Sequence, residues 1–461
     1  MTRFESNTFG AGIARLFSTV ATLAMLVVAT SANAGIVGET GTSFALTASE
    51  GYISIADGGS VYSWGYSVGG QMQLPGPTLI VPAGQPITVT LTNNLPAAAG
   101  NVSIVFPGHV AASSGGVAGE LTQEAPPGGT VTYTFTASEP GTYQYHSGTQ
   151  PDLQVEMGLY GALIVEPTAA TSPCTASAYN HAETCFDREY LFLLSEIDMD
   201  IHQAAEQQAG GIGPIVLPAG AYRSEYWLMN GRAAPDTMAA AGTALLPSQP
   251  YNIIPRMHPG EKLLLRVVGA GRELHPFHTH GNHAQVLARD GRILLSETDD
   301  KKLAGPLLFT IPSVPGGTVD AIFEWTGKDL GWDMYGTVAD GQPAHVCSDT
   351  TGDGYSDLPT NVPPATGDIA YYGEWCADHD REIPVTLPSL SSLAFGGFYS
   401  GSPYMGAGGS LPPGEGGLNP DAGFSYMWHS HNERELVNND VFPGGMMTML
   451  IIEAPWVTIV D

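Results

Sequence analysis

The stretch His275-Pro276-Phe277-His278-Thr279-His280-Gly281, with Asn282 and His283 behind it, decides how this chain is read. Three imidazoles fall within six residues. On an extended strand successive side chains point to opposite faces, so His278 and His280 share a face and can offer two nitrogens to one metal ion. Pro276 lacks a ladder donor and is expected to mark a bend that sets His275 apart. Imidazole suits copper, zinc, iron and nickel, so the heptad by itself does not choose among them. Taken alone, it could also be a solvated His-rich loop. A second cluster, Trp428-His429-Ser430-His431, weighs against that, because two His-x-His segments in one chain make a converging site.

Both clusters sit in β-patterned sequence. At 461 residues the chain exceeds what one hydrophobic core usually spans. Residues 36–167 carry short β-rich runs, among them Thr78–Val81, Ile87–Leu91, Val102–Phe106, Val131–Thr136 and Leu159–Glu166. Turn signals such as Asn93-Asn94-Leu95-Pro96 separate them at roughly ten-residue intervals, the mark of a sandwich or barrel. A second β-rich unit begins near Glu189 and runs through Tyr190–Leu194, Tyr226–Met229, Lys262–Val268, Gln285–Leu287, Phe309–Ile311, Val319–Trp325 and Met449–Glu453. Residues 198–210 predict a short helix. Between Gly336 and Gly423 the pattern dissolves into Gly, Pro, Ser and Tyr, which reads as an insertion over 337–423. The organisation expected is a signal over 1–34, a first domain over 35–167, a linker over 168–186 and a second domain over 187–461.

The signal reading rests on Arg3 and Arg15, the apolar run Leu16 to Thr30, and the Ala32-Asn33-Ala34 cleavage pattern. It places the mature chain, cut after Ala34, in the periplasm or outside the cell. No other apolar run reaches the ~20 residues of a membrane span. The formal charge of −29 argues against nucleic acid and anionic lipid as partners. Four cysteines in an exported chain suggest disulfides. Three connectivities are possible, and the local pairings Cys174–Cys185 and Cys347–Cys376 are expected. The run Asp349 to Asp357 looks like the start of a calcium loop but lacks the closing Glu, so an acidic turn is the better reading. His181, His202, His258, His345 and His379 have no partner at metal spacing and read as surface or hydrogen-bonded residues.

His275–Gly281 closely resembles HPxHxHG, the third copper motif of the multicopper oxidases. Asn93–Pro96, Gly158–Val165, Asn230-Gly231-Arg232, Pro259–Lys262, Pro315–Gly317 and Gly445–Met447 resemble framework segments of the same family. The resemblance implies an all-β chain of two cupredoxin-like Greek-key β-sandwich domains, the second bearing the disulfide-stapled insertion. It also implies a homotrimer in which the metal site lies between the first domain of one subunit and the second domain of the next. The family's first motif falls on Ile104–Gly108, where Val105 and Pro107 take the histidine places and His109 lies just beyond. The second keeps His146, with Gly148 in place of its other histidine. The fourth, HCHxxxH, reads His429-Ser430-His431-Asn432-Glu433-Arg434-Glu435, with serine for the cysteine and Glu435 for the last histidine.

A blue copper site needs a cysteine thiolate, and a serine hydroxyl cannot stand in for it. His275, the other surviving residue of that site, becomes a ligand or a hydrogen-bonding bystander. The metal set implied is His146, His278, His280, His429 and His431, with His275, and with His109, His283, Glu433 or Glu435 as substitutes. One or two coppers fit such a set better than four. Three readings follow. The first is an oxidoreductase with a non-blue copper centre acting on a small molecule or a metal ion with oxygen, its catalytic residues unknown. The second is a copper-binding or copper-sequestering protein without turnover, and the third is a structural scaffold.

Overall fold

A computed structural model of the chain describes residues 36–211, 213–357, 372–382, 401, 423–454 and 457–459. The expected signal and most of the 337–423 insertion lie outside the described residues. The first sandwich pairs a five-stranded sheet, in spatial order Ser60–Ser67, Ser43–Ser54, Pro86–Asn93, Thr130–Thr136 and Ala112–Gly115, with a four-stranded one. The latter runs Glu39–Thr40, Leu79–Pro82, Tyr160–Glu166, Gly141–His146. Ile87, Val89 and Leu91 alternate inward along their strand, as the period-2 pattern requires. They meet Trp64, Tyr133, Tyr145 and Leu163 in one core. Ser43–Ser54 runs parallel to Pro86–Asn93, and Leu79–Pro82 parallel to Tyr160–Glu166. Parallel neighbours cannot be joined by tight hairpins, so the chain must cross between sheets.

The second sandwich repeats the plan. One sheet runs Tyr226–Met229, Arg188–Ile197, Lys262–Gly269, Thr318–Glu324, Ala284–Arg289, Arg292–Ile293. Opposite it lie Arg256–Met257, Met447–Ile452, Phe424–Ser430, His275–Thr279 and Thr310–Ser313. Phe277 points into the core between them, 4.6 Å from Phe192 and perpendicular to Trp428 at 6.2 Å between ring centroids. The chain is therefore all-β with two cupredoxin-like sandwiches.

The two sandwiches are joined through buried polar groups. Thr142 Oγ1 and the Tyr179 hydroxyl each donate to Asp320 at 2.5 Å. Arg266 donates to Thr142 Oγ1 at 3.0 Å and to Glu189 at 2.8 Å, so each buried charge has a partner. The helix expected within 198–210 is Met199–Gln208, capped by the Asp198 carboxylate, which accepts from the Asp200 N–H. It lays Ile201 and Ala205 into the core of the first sandwich.

Two local expectations differ from the structure. Pro276 lies inside the His275–Thr279 strand rather than at a bend. It stands opposite Pro312 on one side, and on the other Pro276 O accepts from His431 N–H at 2.8 Å, which keeps it in the sheet. Val102–Phe106 forms only isolated bridges, Val102 to Ala125 and Val105 to His146, before Pro107 ends the pairing. Both disulfides join the expected local partners, Cys174–Cys185 and Cys347–Cys376. The Asp349–Asp357 run is an acidic turn. Its Asp349 carboxylate accepts from the N–H groups of Gly352 and Gly354, and that of Asp353 from Tyr355.

Because Phe277 is fully buried on the strand that carries the heptad, Phe277→Ala is expected to lower stability by about 3–5 kcal/mol. Denaturant melts check this, and a loss under ~1 kcal/mol would mean that the site strand is not anchored through this ring.

Candidate metal centre

The antiparallel pairing of His275–Thr279 with Phe424–Ser430 sets Phe277 opposite Ser430, His278 opposite His429 and Thr279 opposite Trp428. Directly opposed residues on neighbouring strands hold their side chains on one face, so His278 and His429 meet without any long-range adjustment. His280 follows on the same face, its ring 4.8 Å from that of His278. The buried Trp428 indole donates to His280 O at 2.9 Å and pins the turn. Gly281 there has φ +100°, and a Cβ would come within 3.2 Å of Tyr426, so glycine is needed.

Ligand nitrogens of His278, His280 and His429 all lie within 4.8 Å of one another, and Nε2 of His280 is 3.1 Å from Nε2 of His429. The outer nitrogens are pinned. Nδ1 of His429 donates to Ser430 O at 2.6 Å, and Nδ1 of His278 is 2.8 Å from the Thr310 hydroxyl. For His429, donation to a carbonyl leaves the lone pair on Nε2, which faces Nε2 of His280, the tautomer a metal needs. Burial, and then its three imidazole neighbours, push His278 down to about 3, and burial also lowers His429. Both rings are therefore neutral near neutral pH. His431 lies 4.7 Å from His278 and 5.6 Å from His429 between ring centroids, with its side chain half exposed, so the group opens to solvent at that edge. An all-imidazole donor set of this kind fits copper.

His146 makes no contact with these four among the described residues. It ends the Gly141–His146 strand of the first sandwich, half-buried, with Nδ1 2.9 Å from Ser147 O. That repeats the contact His429 makes with Ser430 O.

His275 is not brought into the group either. It is fully buried, with Nε2 2.8 Å from Glu196 and Nδ1 2.9 Å from Glu435, so neither nitrogen is left for a metal. The Ser430 hydroxyl donates to the same Glu435 oxygen at 2.5 Å, and Asn432 donates to the other at 2.8 Å. Among the residues considered as substitutes, Glu435 thus belongs to this network. His109 packs against Tyr143 and Phe135, His283 against Phe309, and Glu433 reaches only 4.0 Å from His431.

A further cluster escaped sequence reasoning. Asp333, His345, Glu374 and His379 also bring their ligand atoms within 4.8 Å of one another. A signal did exist: His345 and Glu374 each stand two residues before a half-cystine, so pairing Cys347 with Cys376 draws them together. The remaining isolated histidines are hydrogen-bonded, His202 to Tyr62 O and Glu156 O, His258 to Val457 O, and His181 to Asp300 O.

Residues 51–170 match the family model described as multicopper oxidase. Over this segment the chain is similar to multicopper oxidases. L-ascorbate oxidase of Brassica rapa is 40% identical over 99 residues, covering 20% of this chain and 16% of that one. Copper resistance protein A of Pseudomonas syringae is 26% identical over 292 residues, 58% of this chain and 45% of the relative. Copper-containing nitrite reductase of Neisseria meningitidis is 26% identical over 226 residues, 49% and 50% of the two chains. The alignments thus span half or less of these relatives' length. A crystal structure titled blue copper oxidase from Nitrosomonas europaea has the same fold, with TM-score 0.50, 19% identity, and coverage of 89% of this chain and 86% of that one. Unlike a blue copper protein, this multicopper oxidase relative has all four of its cysteines in disulfides and no thiolate to offer.

Burial pushes His275 down, but the hydrogen bonds and charges of Glu196 and Glu435 outweigh it and hold the ring at about 9. The folded state therefore keeps a proton that the unfolded chain releases near pH ~6.5. The resulting stability is fully present below that value and is lost as pH rises through about 9. His275→Gln should cost on the order of 3 kcal/mol more at pH ~6 than at pH ~10, at ~1.4 kcal/mol per pKa unit. Parallel wild-type and variant stability profiles across that window would show that His275 carries no proton.

Proposed function

We propose that this chain is an exported copper-binding oxidoreductase whose non-blue centre is built from imidazole alone. The observation that carries the reading is the convergence of His278, His280 and His429, with Nδ1 of His429 and of His278 already engaged. Copper, when bound, supplies one-electron redox chemistry and a binding place for oxygen. The chain's own part is to orient the rings, through Thr310 and the Ser430 carbonyl, and to admit a small molecule or metal ion past His431. One or two coppers suit this donor count. The free-standing His146, turned by its own Ser147 carbonyl, supports a homotrimer in which His146 of the partner subunit completes the group.

A specific feature favours a second reading, copper holding without turnover. The place of the family's thiolate is taken by the Ser430 hydroxyl, which donates to Glu435, and neither side chain is redox-active. Oxygen consumption by copper-loaded protein with phenols, Cu(I), Fe(II) or Mn(II) separates the two. Turnover supports the enzyme, and stable copper without it supports the store.

Copper-loaded protein is expected to hold at least one copper per chain, with a Cu(II) paramagnetic resonance signal and no intense thiolate-to-copper absorption. His278→Ala with His280→Ala should abolish that binding and leave the circular dichroism unchanged. Substoichiometric copper in the wild type would end both copper readings, and a blue sample would overturn the ligand assignment.

The intersubunit proposal has its own check. His146→Ala should reduce copper retention at least ~10-fold. Mixed trimers of His146→Ala with the His278→Ala/His280→Ala protein should recover part of it. Light scattering giving a monomer, or a His146→Ala protein with unchanged copper affinity, would sink the trimer.

A further inference from the structure

The Asp333, His345, Glu374 and His379 cluster lies outside the imidazole group and has a different chemistry. His345 Nε2 is 3.0 Å from Asp333 Oδ2 and 3.3 Å from Glu374 Oε1. His379 Nδ1 is 2.9 Å from the same Glu374 oxygen and 3.6 Å from Asp333 Oδ2. A tetrahedral ion with bonds of ~2.1 Å has edges of about 3.4 Å, so these four separations already match its edges. The two acids and two imidazoles offer two nitrogens and two oxygens, and two carboxylates neutralise a dication.

An independent observation says that the group is incomplete. Glu374 Oε2 is buried with no hydrogen-bond partner among the described residues, on a side chain only 3% exposed. A buried carboxylate oxygen without a donor is costlier than a neutral unpaired group. A cation bound by this carboxylate would compensate it.

The scaffold around the cluster is built to hold it. Asp333 accepts from the N–H groups of Tyr335 and Asp380, both at 2.9 Å, which aims its carboxylate. The Cys347–Cys376 disulfide ties the segment of His345 to that of Glu374 and His379. Side-chain exposure of Asp333, His345 and Glu374 is 3% or less, and that of His379 is 21%. A site so enclosed leaves no position for substrate, and closed sites are structural ones.

We infer that Asp333, His345, Glu374 and His379 form a second, structural site for a divalent transition-metal ion, which together with the disulfide fastens the insertion to the second sandwich. The donor set suits zinc, iron(II) or manganese(II), and it lacks the soft ligands that select copper(I).

Zinc alone is the probe. Full-length protein carrying His278→Ala and His280→Ala, which blinds the imidazole group, is stripped with chelator and reloaded. It is expected to retain one zinc per chain and to melt at a higher temperature than its stripped form. Adding Glu374→Gln, which keeps the volume, should remove both the zinc and the zinc-dependent shift while the circular dichroism stays unchanged. His345→Gln with His379→Gln is the second route to the same loss. Cobalt(II) in place of zinc should give the visible absorption of a tetrahedral ion, and Glu374→Gln should abolish it. A folded His278→Ala/His280→Ala protein that takes up no zinc would overturn the site. So would zinc retained unchanged by both the Glu374 and the His345/His379 variants.

Discussion

The register between His275–Thr279 and Phe424–Ser430 is the constraint on which the rest of the site depends. The side-chain period of a strand is two, so a slip of one residue would turn every histidine of one strand to the opposite face. The core fixes this register from behind. Phe277 and Trp428 point inward from the two paired strands and meet Phe192 and Phe323, so the strands cannot slide without expelling large aromatic surface. Apolar packing on one face thus positions the imidazole group on the other.

That division of labour also explains which parts of the sequence were legible. Alternating runs such as Pro86–Asn93 declare themselves because one face must be buried. The placement of His278 beside His280 follows from the same periodicity. Other features depend on partners that local pattern does not reveal. Pro276 reads as a strand breaker, yet its carbonyl keeps the ladder by accepting from His431 N–H. His345 and His379 read as isolated until the disulfide and the Asp333 loop bring them together. His275 shares a heptad with two metal-facing histidines, and its fate is set by Glu196 on a strand far away in sequence.

The two histidine clusters differ in donor chemistry and in access. The imidazole group offers only nitrogen, has its outer nitrogens fixed, and opens to solvent at His431. Such a site can exchange ligands and electrons with something that arrives from outside. The Asp333 cluster mixes carboxylates with imidazoles, is nearly closed, and is cross-linked by a covalent bond. Its charge balance suits a resident dication.

The buried network of His275, Ser430, Glu435 and Glu196 has a mechanical role. In a copper site one ion would tie together the positions of His275, Ser430 and Glu435. Here a carboxylate oxygen of Glu435 takes that central place, reaching His275 at 2.9 Å and Ser430 at 2.5 Å, and Glu196 closes the far side of the imidazole. Three segments, Arg188–Ile197, His275–Thr279 and Glu433–Leu436, are thereby tied by charge-assisted hydrogen bonds. Deleting one partner would strand an uncompensated buried charge, which is far costlier than the net worth of the intact pair. The network therefore resists piecemeal loss much as a metal site does.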